Sequence, residues 1–400
     1  MDIRPLRPDD DLEDELDLAR RSFGPVDDAG RAWRLAEAQA AIGDERYFAA
    51  FDGPRMVAAA LFHDLCQWWH GRPVRMAGVG GVRVAPEARG RGIGTALMTE
   101  LLRVIAGRGY PLSVLYPATA PIYRSLGWEL AGGFYQARIP TRSLAALPSA
   151  DFPAGPLPAL RRAGPGDADQ LLAVIDAVHE SARHCGPSTP DAGSARRWWL
   201  DDENVFCYLA PDGFLAYGWH GSHREVLVHR AVAGSPETTR AIWSVVSSHA
   251  SMAGQVRAVV TPDDPVGWLT REPEVGMERE PWMLRVVDAA AAIAGRGFPA
   301  AADLAIRLQI DDAARPGHAG LWTLEVGGGQ GSLRPGASRR PGPSSPQGPV
   351  RLGARGLAAL YAGIPMATLR RAGLAAGGDA GTDDALDGAF AGQAFMLDEF

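Results

Sequence analysis

Apolar residues recur at helical spacing over 95–105 (Leu97, Met98, Leu101, Leu102, Ile105), which predicts a helix there. Just upstream, 77–84 is a run of small and β-branched residues and reads as a strand. A Gly/Arg-rich loop joins the two. Around this core of strand, glycine loop and helix, strands are expected over 3–6, 47–51 and 56–62, the last two meeting at Asp52-Gly53. A helix led by acids is expected over 9–23. A buried strand over 112–116, a short helix over 122–127 stopped by Gly127, and a strand over 128–138 complete the first block.

Four prolines within 147–158 read as a linker. Beyond it the opening pattern recurs: Ile3-Arg4 and Pro8-x-Asp10 match Leu160-Arg161 and Pro165-x-Asp167 at an offset of 157. A helix (169–182), three strands (204–209, 213–219, 225–233) and a helix (236–250) follow, so a structural repeat is expected. Applying the offset to Arg89 and Gly94 leads to 246–251, where no glycine loop stands. A third block has helix 286–293, strands 304–310 and 321–326, a Gly/Pro/Ser-rich stretch 327–349 that reads as a mobile surface loop, and short helices over 356–363, 366–372 and 383–390. A length of 400 residues suits this division into 1–146, 147–285 and 286–400.

Composition narrows the options. Apolar content of 46% can fill real cores, and a net charge of −7 disfavours a nucleic-acid partner. Three scattered cysteines suggest a reducing compartment. The N-terminus is no signal peptide and no apolar run spans a bilayer, so a cytoplasmic protein without a membrane partner is expected, although secretion stays open. Cys66-x-x-x-His70, His179…His184-Cys185 and His220-x-x-His223 are incomplete as ligand sets, and no metal is expected. Arg339-Arg340 is too short for a nucleic-acid patch.

The loop carries the chemistry. Backbone N–H groups at a helix start, glycines without Cβ and nearby arginines suit a pyrophosphate. A P-loop would need Gly-Lys-Ser/Thr, which is absent; a dinucleotide fingerprint would need an acid about twenty residues on, where Tyr110 and Pro111 stand. What remains, Arg89-x-x-Gly92-x-Gly94, resembles the acyl-CoA loop of the GNAT N-acetyltransferases. The three-block layout, Ile122-Tyr123-x-x-x-Gly127-Trp128 and the terminal Phe400 are similar to the Eis (enhanced intracellular survival) family. That resemblance implies an α/β (α+β) fold: tandem GNAT units, each a mixed central sheet flanked by helices, the second degenerate, plus an α+β domain like sterol carrier protein. It implies acetyl-CoA as co-substrate, with contacts from Val82, Arg83 and Val84, from Gly90, Arg91, Gly92, Ile93, Gly94 and Thr95, and from Ala118 and Thr119. It further implies Tyr123 as general acid, the Phe400 α-carboxylate as general base, a polycationic amine acceptor such as an aminoglycoside, and a homohexamer.

Acetyl transfer to an amine needs the ammonium deprotonated, the oxyanion met by a donor, and the leaving thiolate protonated. A backbone N–H of 82–84 suits the oxyanion and the Tyr123 phenol suits the sulfur. An α-carboxyl with a reference pKa of about 3.5 is a weak base, so Phe400 is expected to act through water or to collect an already neutral amine. Glu399 and Asp398 add negative potential beside it. Trp33, with Phe23, Asp27 and Asp28, is the early candidate for the acceptor by cation–π and charge pairing. Two other readings remain: a protein-lysine acetyltransferase, and a lipid or acyl carrier with non-catalytic GNAT units.

Overall fold

The computed structural model describes all residues except 26, 145–154, 222–223, 271–274 and 337–347. One large sheet runs through the first two units. Its strands lie in the order Asp2–Pro5, Tyr47–Asp52, Arg55–Trp69, Arg72–Val84, Leu112–Leu115, Gly276–Val286, Glu129–Pro140, Gln255–Val260, Glu225–Ala233, Gly213–His220, Phe206–Ala210 and Arg161–Arg162. The middle of that order shows an exchange. Gly276–Val286, from the second unit, pairs with Leu112–Leu115 of the first. Glu129–Pro140, from the first, pairs with Gln255–Val260 of the second. The two exchanged strands pair with each other, so the units are stitched into one sheet.

Each unit repeats one motif: a strand, a crossover helix, and a second strand parallel to the first. In the first unit these are Arg72–Val84, Ile93–Gly107 and Leu112–Leu115. In the second they are Glu225–Ala233, Pro236–Ser247 and Gln255–Val260. The crossover helices bury one apolar stripe each: Leu97, Met98, Leu101, Leu102 and Ile105 in one, Ile242, Trp243 and Val246 in the other.

The third part has its own sheet, ordered Gln330–Pro335, Gly320–Gly327, Leu304–Asp311, Val350–Gly353 and Ala375–Ala376. It shares a core with the large sheet: Trp69, Leu112, Trp282 and Leu284 join Leu304, Leu308, Leu357 and Tyr361. Arg296 fastens the joint. Its buried guanidinium lies 4.7 Å from the Tyr361 and Phe390 rings and 5.6 Å from the Trp69 ring, and it donates to the Tyr361 carbonyl. Cation–π contacts that exclude water are worth about 2 kcal/mol each.

Several expectations need correction. Helix Asp28–Gly43 was not anticipated; six of its sixteen residues are alanine, so apolar periodicity is weak, and the Asp27 cap (accepting from Gly30 N, 2.8 Å) marks its start. Strands Gly276–Val286, Gln255–Val260 and Cys185–Thr189 were also unforeseen. The 327–349 loop holds a strand, Gln330–Pro335, hairpinned to Gly320–Gly327; 337–347, with Arg339 and Arg340, lie outside the described residues, as do most of the 147–158 linker and His223. The 157 offset does not persist: the counterpart of the Gly92 helix start is Ser235, and 246–251 is that helix's far end.

Candidate active site

The site grows from a fork in the sheet. Arg72–Val84 pairs with Leu112–Leu115 only as far as Val79 opposite Leu115, then runs on alone along that edge to Val84. Backbone groups of Gly80 to Val84 on this edge have no strand partner among the described residues, so they are available to a ligand.

The expected phosphate loop closes one end of the fork. A short 3-10 turn, Pro86–Ala88, leads to Gly90 (φ 77°) and Gly92 (φ 76°), both in the left-handed region that glycine adopts without strain. Gly92 is the N-cap of Ile93–Gly107 and contributes no capping side chain; the first turn holds no acid. The N–H groups of Ile93, Gly94 and Thr95 precede the first intrahelical bond, Ala96 N to Gly92 O, and stay available at the positive end of the helix dipole. A Cβ at Gly90 or Gly92 would meet nothing within 4 Å, so the approach is open. A shallow hollow beside it is lined by Ile3, Gly92, Thr95, Ala96, Thr99 and Glu100. These features fit a pyrophosphate.

The arginines behave differently from the glycines. Arg91 pairs with Asp52 at 2.9 Å on the surface, free to exchange that partner for a phosphate. Arg83 is buried, and its guanidinium bonds Glu15, the Tyr47 hydroxyl and the Gly81 carbonyl (2.7 Å). Its side chain is therefore a core element, leaving its backbone for the fork beside Val82 and Val84.

Tyr123 stands on helix Ala120–Ser125, whose N-cap is Thr119; Ala118 and Thr119 are exposed. A Cβ on Gly94 would lie 3.1 Å from Ile122 Cδ1 and 3.3 Å from Val84 Cγ2, so strand end, cofactor helix and Tyr123 helix converge here. Tyr123 is buried, and burial raises its phenol above the usual value.

The other end of the fork receives the chain terminus. A Cβ on Gly80 would stand 3.0 Å from the Phe400 carboxyl carbon and 3.1 Å from its oxygen. A side chain there would crowd the terminus. The Phe400 ring packs edge-on to Tyr116 (5.6 Å) and His63 (6.1 Å). Glu399 is exposed; partial burial, then the neighbouring Glu280 carboxylate, raise its pKa.

His63 escaped the sequence reading. Its Nε2 is 3.8 Å from the same Gly80 Cβ position, its Nδ1 is 3.8 Å from Glu37, and Trp198 lies edge-on at 6.2 Å. Burial lowers its pKa to about 4, so the imidazole is neutral at pH 7. Glu37 in turn accepts from Arg197 at 2.7 Å, which brings the second unit to the site. The sequence signal was faint: His63 follows the apolar run 56–62, in a strand that also carries Asp64 and Gln67. Trp33 is half exposed on the helix that carries Glu37, and no contact places it against Phe400. Among the described residues no cluster of three or more His, Cys, Asp or Glu forms a metal site, and no helix is long and apolar enough to cross a membrane.

A fork of parallel strands with an uncapped glycine helix start defines an acyl-CoA-dependent transferase, and comparison with known proteins agrees. Residues 2–131 and 193–286 each match an acetyltransferase (GNAT) domain, and 289–397 match a sterol carrier protein domain. A GCN5-related N-acetyltransferase from Kribbella flavida is 41% identical, with a TM-score of 0.89 over 100% of this chain and 98% of that one. N-acetyltransferase Eis of Mycobacterium tuberculosis is 26% identical over 355 residues, 82% of this chain and 83% of that protein. Eis1 from Mycobacterium abscessus shares the fold, with a TM-score of 0.77 and 23% identity over the full length of both chains. The chain belongs to the GCN5-related N-acetyltransferases, and it is similar to Eis along most of its length. It is an N-acetyltransferase, and acetyl-CoA is the co-substrate of this class.

Proposed function

We propose that this enzyme acetylates amines of polycationic small molecules of aminoglycoside type, with Tyr123 as general acid and the Phe400 α-carboxylate as general base. The observation that carries the reading is the Phe400 carboxyl carbon against Gly80, at the point where the strands part. The N–H groups of Ile93, Gly94 and Thr95, with Gly90, Arg91 and Gly92, hold the pyrophosphate; the backbone of Val82, Arg83 and Val84 and the Ala118-Thr119 turn line the acyl arm. Acetyl-CoA supplies the activated carbonyl. A raised phenol pKa keeps Tyr123 protonated at neutral pH, as a donor to the departing sulfur must be. The Phe400 carboxylate takes the proton the amine gives up, and the Glu399–Glu280 pair beside it favours a cationic acceptor.

In this reading residues 1–146 form the catalytic GNAT unit, 147–285 the degenerate one and 286–400 the sterol-carrier-like part, assembled as a homohexamer in the cytoplasm. Thiol release measured across aminoglycosides, polyamines and lysine peptides tests the acceptor class; turnover on lysine peptides alone would refute the small-molecule reading. A peptide tag appended to Phe400 should abolish turnover while acetyl-CoA still binds. An undiminished rate would remove the carboxylate from the mechanism.

A further inference from the structure

The two strand forks are alike in register. Both parallel pairs end after four residues, at Val79–Leu115 and at Val228–Ala258, and both first strands run five residues further. The last residues of the chain visit both forks. Phe395–Met396 pairs in parallel with Gly133 and Phe134, and Phe395 passes so close to Gly186 that a Cβ there would lie 2.3 Å from its carbonyl oxygen. Leu397 is buried in the second unit's core and lines a cavity of about 180 Å³ with Val232, Ile242 and Trp243. Asp398 enters the second fork, and Phe400 reaches the first.

Asp398 is buried and tied three ways. Its carboxylate accepts from the Arg230 guanidinium and from Ser188 Oγ (2.5 Å), and its carbonyl accepts from the Tyr116 hydroxyl (2.5 Å). Arg230 stands where the strand pattern calls for an apolar residue, in the buried row Val226, Val228, Arg230, Val232. Its guanidinium is 5.2 Å from the Trp199 ring, and its Nε and Nη1 have no hydrogen-bond partner among the described residues. A guanidinium so placed, without Asp398, would be a stranded charge in an apolar core. The arrangement therefore favours a docked tail over a free one.

We propose that Arg230, Ser188 and Tyr116 are positioning residues that hold Asp398 and thereby set the Phe400 carboxylate at the first fork. The second GNAT unit, without a cofactor loop, acts as the clamp of the catalytic terminus. This rests on the reading of Phe400 as the base. Two residues of chain span at most about 7 Å, so slack at Asp398 passes directly to Phe400.

The test uses full-length protein and compares Arg230→Gln, Ser188→Ala and Tyr116→Phe with a variant lacking Phe400. Arg230→Gln should lower kcat roughly 10- to 100-fold, the scale of a misplaced catalytic group. The KM for acetyl-CoA should hold, because the cofactor helix is in the other unit. Ser188→Ala and Tyr116→Phe should act the same way more weakly, and they decide the matter if Arg230→Gln fails to fold. In the protein lacking Phe400, adding Arg230→Gln (or either milder change) should leave kcat unchanged. The clamp is refuted if the Phe400 deletion is slow while the clamp variants run at the wild-type rate, or if the two losses multiply. A Phe400 deletion that runs at full rate would instead overturn the base assignment, and the clamp's catalytic role with it.

Discussion

The two GNAT units carry the same crossover helix in opposite chemical states. In the first, Gly92 caps Ile93–Gly107 without a side chain, and the first turn holds no acid. In the second, Ser235 caps Pro236–Ser247 by accepting from Thr238 N, Glu237 sits in the first turn, and the Thr238 hydroxyl donates to Asp212. The first helix start is left free for an anion. The second is already satisfied and carries negative charge, so a pyrophosphate would meet repulsion where the first unit offers a dipole. The two helix starts differ without a change of fold, by a serine, an acid and their partners at one helix end. The second fork is occupied by the chain tail, through Asp398 on Arg230.

The comparison breaks hardest at Tyr123, because only the first unit is assigned chemistry. Tyr123→Phe should cut kcat by roughly 10²- to 10⁴-fold with acetyl-CoA affinity retained. Steady-state kinetics beside calorimetry would show it, and a mild loss would make Tyr123 a packing residue. Next in size is acid sensitivity, which both units share. His63 in the first and His184 in the second are each lowered to about 4, chiefly by burial. Between pH 6.5 and 4 the unfolded chain binds protons that the native state refuses, so stability falls as pH drops through that window. The His63 contribution is on the order of 3 kcal/mol. Denaturant unfolding of His63→Gln should therefore show a flatter pH dependence than wild type; an unchanged slope would contradict its burial as a neutral group.

Gly92→Asp turns the first helix start into an imitation of the second. Aspartate tolerates the left-handed conformation, so the fold should survive. Acetyl-CoA should bind roughly tenfold more weakly, read by calorimetry. Ser235→Ala makes the complementary change. It should cost about 1 kcal/mol of stability in thermal unfolding and leave the KM for acetyl-CoA where it was. A cofactor effect from Ser235 would mean that the second unit still takes part in binding.

Sequence alone was sufficient for the parts that are local in the chain. Strand, glycine loop and helix were expected over 77–105 from residues that are neighbours in the chain, and these elements form over Arg72–Val84 and Ile93–Gly107. Tyr123 and Phe400 came instead through family resemblance, since nothing local marks a tyrosine as an acid or a terminus as a base. What only the tertiary structure decided was long-range. The exchange of Gly276–Val286 with Glu129–Pro140 depends on pairings more than 100 residues apart, which no hydrophobic period encodes. That the Arg83 side chain turns into the core, against Glu15, was likewise not legible in the sequence. His63 and Arg230 gained meaning only when folding brought the last three residues beside them. Local propensity and periodicity act over one turn or one strand; the meeting of the chain's last residues, Arg230 and the first fork depends on which distant surfaces pack, and that is settled by the whole core at once.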